Sequence, residues 1–279
     1  MHYIDEGDKN APVVLMVHGN PTWSFYYRNL AIALRNDYRV IVPDHLGCGL
    51  SDKPQNYAYR IVDHIQNLSA LMKHLEIDEY ALIVHDWGGP IGVGNALQAP
   101  EKVKGLVILN TSLFYIDKLP WQIKLSRTPM IGEFMLRGLN LFSILAYYLA
   151  IVKKEKCSKE VYAAYTQPYN SWRNRIAVHR FVQEIPLDKN HPTRALLTDL
   201  DLKTQQFNNT PTLIAWGDQD FVFKPDDFCI GLEKRFPQAD VHHFPDAGHY
   251  VLEDADEKIR PLVRDFLNGL GWGAEYAGR

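Results

Sequence analysis

Leu82–Gly92 reads LIVHDWGGPIG. An aliphatic run meets Asp86, then Trp87, then Gly88 and Gly89, and a second apolar segment follows. A carboxylate at the end of a buried strand is costly unless it is paired or takes part in chemistry. The two glycines punctuate the chain as a tight turn does, and the residues beyond them open a helix. The segment therefore reads as strand, turn and helix, with an acidic side chain at the apex.

Similar runs lie on either side. PVVLMVHGNP stops at Gly19, Asn20 and Pro21, YRVIVPDHLGCG stops at Pro43 and Gly47, and VKGLVILNTS covers 103–112. Runs of Val, Ile and Leu that end in turn residues are the pattern of buried parallel strands. Helix-like stretches at 23–35, 60–76 and 90–99 separate them. Residues 116 to about 200 break the alternation, with helix-like segments, many aromatics and no clear strand run. The strand pattern resumes in PTLIAWGDQD at 211–220 and ADVHHFPDAGH at 239–249, and a helix-like stretch follows at 254–269. The expectation is an α/β fold, a mostly parallel sheet with helices on both faces. Its core is discontinuous, 1–115 and 201–279, with a helical cap over 116–200 inserted between the fourth and fifth of these strands. A lid over strand C-termini encloses a pocket there.

The G-x-S-x-G nucleophile elbow has the same strand–turn–helix plan. Here Asp86 stands at the nucleophile position, Gly88 keeps the small residue after it, and Val84 replaces the first glycine. Taken locally, the residues also fit an aspartate that only caps the following helix. Two distant segments favour chemistry. PDAGHYVLED puts His249 in a turn after a strand, where a general base is expected, and AWGDQDFVF ends a strand with Asp218 and Asp220, either of which can orient a histidine. An isolated strand-end histidine is more often a satisfied surface residue, but the chain order here is nucleophile, acid, base. In VHGNPTW, a backbone N–H after His18-Gly19, together with the N–H of Trp87, would make an oxyanion hole. The Asn20 amide and the Trp87 indole add donors that cannot accept a proton at neutral pH, which suits a weakly basic leaving anion. Otherwise Asn20 only turns the chain and Trp87 only packs.

Composition narrows the classes. The 279 residues are 46% hydrophobic and 23% charged, an ordinary globular balance. A net charge of −3 gives no basic footprint for nucleic acid. Cys48, Cys157 and Cys229 are widely spaced, match no metal pattern and suit free thiols in the reducing cytoplasm. The opening MHYIDEGDKNAP is polar, unlike a signal peptide. The longest apolar stretch, LNLFSILAYYLAIV at 139–152, is too short to span a bilayer. It is apolar all round, which fits either core packing or contact with an apolar ligand.

In HGNPTWSFYYRNL, PDHLGCGLSDKP, VHDWGGPIG, WGDQDFVF and AGHYVLED the chain resembles the haloalkane dehalogenases of the α/β-hydrolase superfamily. The resemblance implies Asp86 as nucleophile, His249 as base, Asp220 as acid, and Asn20 with Trp87 as the halide-binding pair. One branch of that family carries its acid after the strand at 103–110, where this chain reads LNTS without a carboxylate. An Asn/Trp pair with the later acid resembles the third dehalogenase subfamily. That subfamily merges with the β-lactone decarboxylases of bacterial long-chain olefin biosynthesis. PWQIKLSRTPMIGEFMLRGLNLF and YNSWRNRIAVHRFVQEIPL are at least as similar to those. The resemblance implies an apolar substrate, small or long-chain, a halide ion as leaving group on the first reading, no cofactor and no metal. The olefin route adds a place in an enzyme assembly of that pathway. Relatives usually carry a further strand before MHYIDEG, so either Met1 is a truncated or misassigned start or the sheet is one strand short.

An ionised aspartate needs no base to displace a leaving group from an sp³ carbon, and a histidine would then activate water against the resulting ester. With a β-lactone the same aspartate would open the ring, and loss of CO₂ would give an alkene. An epoxide hydrolase shares the aspartate but takes its acids from cap tyrosines, for which Tyr147, Tyr148, Tyr162, Tyr165 and Tyr169 are candidates. A fluoroacetate-type dehalogenase would carry Arg where Trp87 stands, a serine esterase lacks its Ser, and a non-catalytic binding protein would tolerate a broken triad.

Overall fold

The computed structural model describes residues 1–117 and 121–271, without the side chains of Trp121 and Gln122. Positions 118–120 of the expected cap and 272–279 of the expected core lie outside the described residues.

The apolar runs of the central strands are buried on both sides, and the two edge strands are partly exposed. The strands are β1 (Tyr3–Glu6), β2 (Val13–Val17), β3 (Arg39–Pro43), β4 (Tyr80–Val84), β5 (Val103–Leu109), β6 (Thr212–Gly217) and β7 (Asp240–Phe244). They make one sheet in the order β1-β3-β2-β4-β5-β6-β7, parallel except for β1, which runs antiparallel to β3. Successive residues of a strand serve opposite faces. Leu15 and Val17 of β2 join Leu82 and Val84 of β4 in one core, while Val14 and Met16 join Ala81 and Ile83 in the other. The first core is covered by α2 (Ile61–His74) and α3 (Gly88–Ala96), the second by α1 (Arg28–Leu34) and α12 (Asp256–Gly269). The expected strand runs and these helices are all present. The strand not anticipated is β1, whose sequence YIDE is half-exposed at the sheet edge and lacks an apolar run.

Between β5 and β6 the described residues contain helices and no strand: α4 (Trp121–Ser126), α5 (Ile131–Glu133), α6 (Leu141–Ala150), α7 (Lys159–Thr166), α8 (Ile176–Gln183) and α9 (Pro192–Lys203). After β6 come α10 (Cys229–Arg235) and, before α12, the short α11 (Val251–Asp254). The α6 end is tied to the turn carrying His249. The Asp254 carboxylate accepts the N–H groups of Val152, Lys153 and Gly248, and Tyr250 N–H donates to Ala150 O at 2.9 Å. Glu253 joins helices from both regions, taking a bidentate pair from Arg28 and the Tyr165 hydroxyl. Among the described residues no helix is long and apolar enough to cross a membrane, and all three cysteines are free thiols.

Beneath the strand ends lies a layer of fully buried histidines that the sequence reading did not single out: His18 after β2, His45 after β3, His85 after β4, and His64 from α2. Burial pushes all four well below the usual imidazole range, His18 to about 3. His18 Nε2 accepts the backbone N–H of His45 at 3.0 Å, so its other nitrogen carries the proton and donates to Gly19 O at 2.7 Å. His64 differs, since neither ring nitrogen has a partner and the ring stacks on Phe181 at 4.5 Å.

The fold keeps these rings neutral, whereas the unfolded chain takes up protons below about pH 6.5. Their contribution is therefore intact above that pH and falls as pH drops, by about 1.4 kcal/mol per pH unit for each group. His64→Phe removes one such group and keeps the stacked shape. We expect it to raise the melting temperature more at about pH 5.5 than at about pH 7.5. An equal shift at both pH values in a thermal melt would show that His64 does not contribute to acid sensitivity.

Candidate active site

Asp86 follows β4 with φ at +51°, a left-handed conformation that few residues other than glycine adopt. Such strain persists where the surroundings over-determine it. Here Asp86 N–H donates to Asn110 O at 3.0 Å, and the N–H groups of Gly88 and Gly89 close the turn onto His85 O and Asp86 O. A side chain at Gly88 would collide with Val17 O, so only glycine lets α3 start this close to β2. The helix accordingly begins at Gly88, two residues earlier than the apolar pattern indicates.

The Asp86 carboxylate lies against the loop after β2. Asn20 N–H donates to Oδ1 at 2.7 Å, and the adjacent backbone N–H of Trp87 also favours the ionised carboxylate. A Cβ on Gly19 would overlap that carboxylate. The two N–H groups anticipated as an oxyanion hole thus converge on Asp86. The Asn20 side-chain amide instead donates to Val178 O of α8 at 3.4 Å, leaving its Oδ1 buried without a partner. Asn20 and Trp87 both line the cavity beside Asp86.

His249 comes from the turn before α11. Its Nδ1 meets Asp220 Oδ2 at 2.8 Å, and its Nε2 lies 3.7 Å from Asp86 Oδ2, too far for a hydrogen bond. Asp218, the other candidate acid, is 2.7 Å from Nδ1 of His243 instead. Asp220 also accepts from Val222 N–H at 2.7 Å, Phe223 N–H at 2.9 Å and Asn110 Nδ2 at 2.9 Å. Asn110 was not singled out in the sequence, although LNTS was noted for its missing carboxylate. In the fold it supplies a donor to an acid in the turn after β6. Its Oδ1 takes Gly217 N–H at 2.9 Å and its Nδ2 also reaches Gly217 O, so one side chain clamps the turn after β6.

Burial raises the Asp86 carboxyl above its usual range, against the opposing pull of His249 and the two N–H groups. Burial also works against a charged His249, but Asp220 and then Asp86 outweigh it, and the imidazole ends above its usual value. Each of the two groups favours the charged form of the other.

Above these residues is a cavity of about 330 Å³. Polar groups gather near Asp86, and most of the wall is apolar. Leu141, Phe142, Leu145, Ala146, Leu149 and Ala150 present one stripe of α6 to it, while Tyr147 packs into the core. Both readings of LNLFSILAYYLAIV therefore hold, each for one face of the helix. None of the five cap tyrosines considered as epoxide acids lines the cavity. Tyr165 is engaged with Glu253, Tyr147 with Ser158 O and Tyr169 with Thr22 O.

Residues 12–256 match the model of the alpha/beta hydrolase fold family. The chain is 46% identical to the cis-3-alkyl-4-alkyloxetan-2-one decarboxylase of Shewanella oneidensis, over 96% of this chain and 85% of that protein. It is 34% identical to haloalkane dehalogenase 2 of Mycobacterium bovis, over 94% of this chain and 90% of the relative. The solved haloalkane dehalogenase of Bradyrhizobium elkani superposes with a TM-score of 0.88 at 27% identity, covering 96% of this chain and 94% of that one. An aspartate at the elbow, a seven-stranded sheet and these likenesses agree: the chain belongs to the alpha/beta hydrolase fold family, alongside the cis-3-alkyl-4-alkyloxetan-2-one decarboxylases and the haloalkane dehalogenases.

Proposed function

We propose that this enzyme decarboxylates cis-3,4-dialkyl β-lactones to cis-alkenes through a covalent ester on Asp86. The observation that carries the reading is the apolar stripe of α6 facing the Asp86 carboxylate, a wall suited to alkyl chains. The 46% identity to an oxetanone decarboxylase supports it. In this reading residues 1–115 and 201–279 are the core and 116–200 the cap. The three unpaired cysteines fit work in the cytoplasm. A place in an assembly with the enzymes of an olefin pathway fits a substrate too apolar to diffuse freely.

The chemistry follows from the ring. An Asp86 oxygen attacks C4 from the side opposite the ring oxygen. The C4–O bond breaks, and the freed carboxylate keeps its electron pair, facing donors from Asn20 and Trp87. The four-membered ring holds the C3–carboxyl bond almost eclipsed with the bond that has just broken. The new Asp86–C4 bond is therefore antiparallel to the C3–carboxyl bond as soon as it forms. Electrons of that C–C bond become the C3–C4 double bond, CO₂ departs, and Asp86 leaves with its carboxylate restored. Inversion followed by anti elimination converts a cis ring to a cis alkene, and no water is consumed. A protonated His249 beside Asp86 stabilises the departing carboxylate.

Haloalkane hydrolysis is the second reading, favoured by Asn20 and Trp87 at the cavity wall beside Asp86 and by relatives 34% identical. There, esterification cancels the Asp86 charge that helps hold the proton on His249, so the imidazole gives up that proton more readily and is available as a free base when water must be activated. Water adds to the ester carbonyl, leaving one of its oxygens in Asp86.

A paired assay in H₂¹⁸O separates the routes. With a long-chain cis-β-lactone we expect alkene and an unlabelled Asp86 peptide after many turnovers. Bromide release from a 1-bromoalkane with ¹⁸O in that peptide, and no alkene from the lactone, would hand the function to the dehalogenase reading.

His249→Gln should react once with a 1-bromoalkane that the wild type turns over, then stop. One equivalent of bromide and an alkyl adduct on the VHDWGG peptide are expected in intact and peptide mass spectra. No burst and no adduct would place His249 before the attack.

Asp220→Asn should lower that hydrolysis rate by orders of magnitude, whereas Asp218→Asn should stay near wild type. Equal losses would reassign the acid.

A further inference from the structure

Away from the cavity, Cys229 and Glu233 lie one helical turn apart on α10, and His243 faces them from β7. Cys229 Sγ is 3.6 Å from Glu233 Oε1, and that oxygen is 3.7 Å from His243 Nε2. All three donor atoms fall within 4.8 Å of one another. Bonds of about 2.3 Å to thiolate sulfur and about 2.0–2.1 Å to imidazole nitrogen and carboxylate oxygen give tetrahedral edges of about 3.3–3.6 Å. Two of the three edges already approach that size.

A second observation concerns the histidine. Asp218 Oδ1 lies 2.7 Å from His243 Nδ1, so that nitrogen meets a carboxylate while Nε2 faces Glu233. A cation placed between Nε2 and the Glu233 carboxylate would take one ligand atom from each. The carboxylate–histidine arrangement is the outer support that metal-binding histidines commonly carry. Glu233 and His243 are partly exposed, which gives an ion a route in from solvent, while Cys229 is buried behind them.

We propose that Cys229, Glu233 and His243 form a binding site for a d¹⁰ divalent cation of the zinc type, with Asp218 orienting the histidine. Sulfur and imidazole ligands select such an ion over magnesium or calcium. With three protein ligands the fourth position is open to water. The site would bridge α10 and β7 beside the turn after β6, two residues from Asp220, and so brace the turn that holds the His249 partner. Burial and the neighbouring Glu233 push the Cys229 thiol up, so the ion must displace a proton and its affinity falls as pH is lowered.

The test uses the tag-free full chain carrying Cys157→Ser, which removes the partly exposed thiol outside the cluster. Titration with Co²⁺ should give one equivalent per chain, a thiolate-to-cobalt charge-transfer band and the visible spectrum of a tetrahedral site. Zn²⁺ should bleach both and raise the melting temperature. Cys229→Ser should abolish the charge-transfer band. Asp218→Asn should weaken binding by about 10–100-fold. His243→Gln changes a partly exposed residue, so it keeps the test open if Cys229→Ser does not fold, and it should abolish tight binding. No charge-transfer band at saturating Co²⁺, or a band that survives His243→Gln, would overturn the site.

Discussion

The site depends on the hydrogen bond from Asn20 N–H to the Asp86 carboxylate, 2.7 Å long. It joins residues 66 positions apart and exists because β2 and β4 are neighbours in register, Val17 opposite Val84. Everything near it is adjusted to this contact. Gly19 has no side chain where the carboxylate lies, Gly88 none where α3 meets β2, and Asp86 takes a left-handed backbone that costs about 1–3 kcal/mol. The sheet offsets that strain, because Asp86 N–H is secured by Asn110 O from the neighbouring strand end. A nucleophile borne on a flexible loop would lose this alignment to thermal motion. Here its position is set by packed strands.

Charge is managed as tightly as shape. Asp220 is buried yet accepts from Val222, Phe223, Asn110 and His249, so its oxygens find donors away from water. The buried histidines below the site remain neutral. His85 Nε2 donates to His249 O at 2.8 Å, and His18 Nδ1 donates to Gly19 O. Two neutral rings thus fix the carbonyls of the residues that flank the Asp86 carboxylate without adding charge that would compete for it. The cost is sensitivity to acid, since each ring is a proton acceptor released on unfolding.

Strands β2 to β6 were legible because burial on both faces leaves a continuous apolar run. β1 was not, because an edge strand with one paired side can afford YIDE. Asp86, His249 and the choice between two aspartates show the same division. The elbow residues are local in sequence, so their pattern is readable. Which of Asp218 and Asp220 meets His249 depends on the twist of the turn after β6 and on Asn110, a residue 110 positions away from Asp220. Asn110 had a signal in the chain, a polar residue directly after a buried strand, but no partner could be assigned without the fold. The Cys229–Glu233–His243 cluster was invisible for the same reason, since cysteine spacing shows only sites whose ligands share a segment.

The proposed lactone reaction and haloalkane hydrolysis begin with the same attack and part afterwards. In each, Asp86 displaces an oxygen or halide from an sp³ carbon and becomes an ester. If the adduct carries a carboxylate on the adjacent carbon, antiparallel to the new bond, it fragments by itself and restores Asp86. If it does not, the ester persists until His249 delivers water. On the proposed mechanisms one set of residues serves both, and the difference lies in what the cavity admits and whether water reaches the ester. A wall built from the Leu141–Ala150 stripe suits alkyl chains and offers water few polar partners. Fragmentation consumes no water, whereas hydrolysis needs a water held at Nε2 of His249. The 3.7 Å gap between that nitrogen and Asp86 is where the two chemistries diverge.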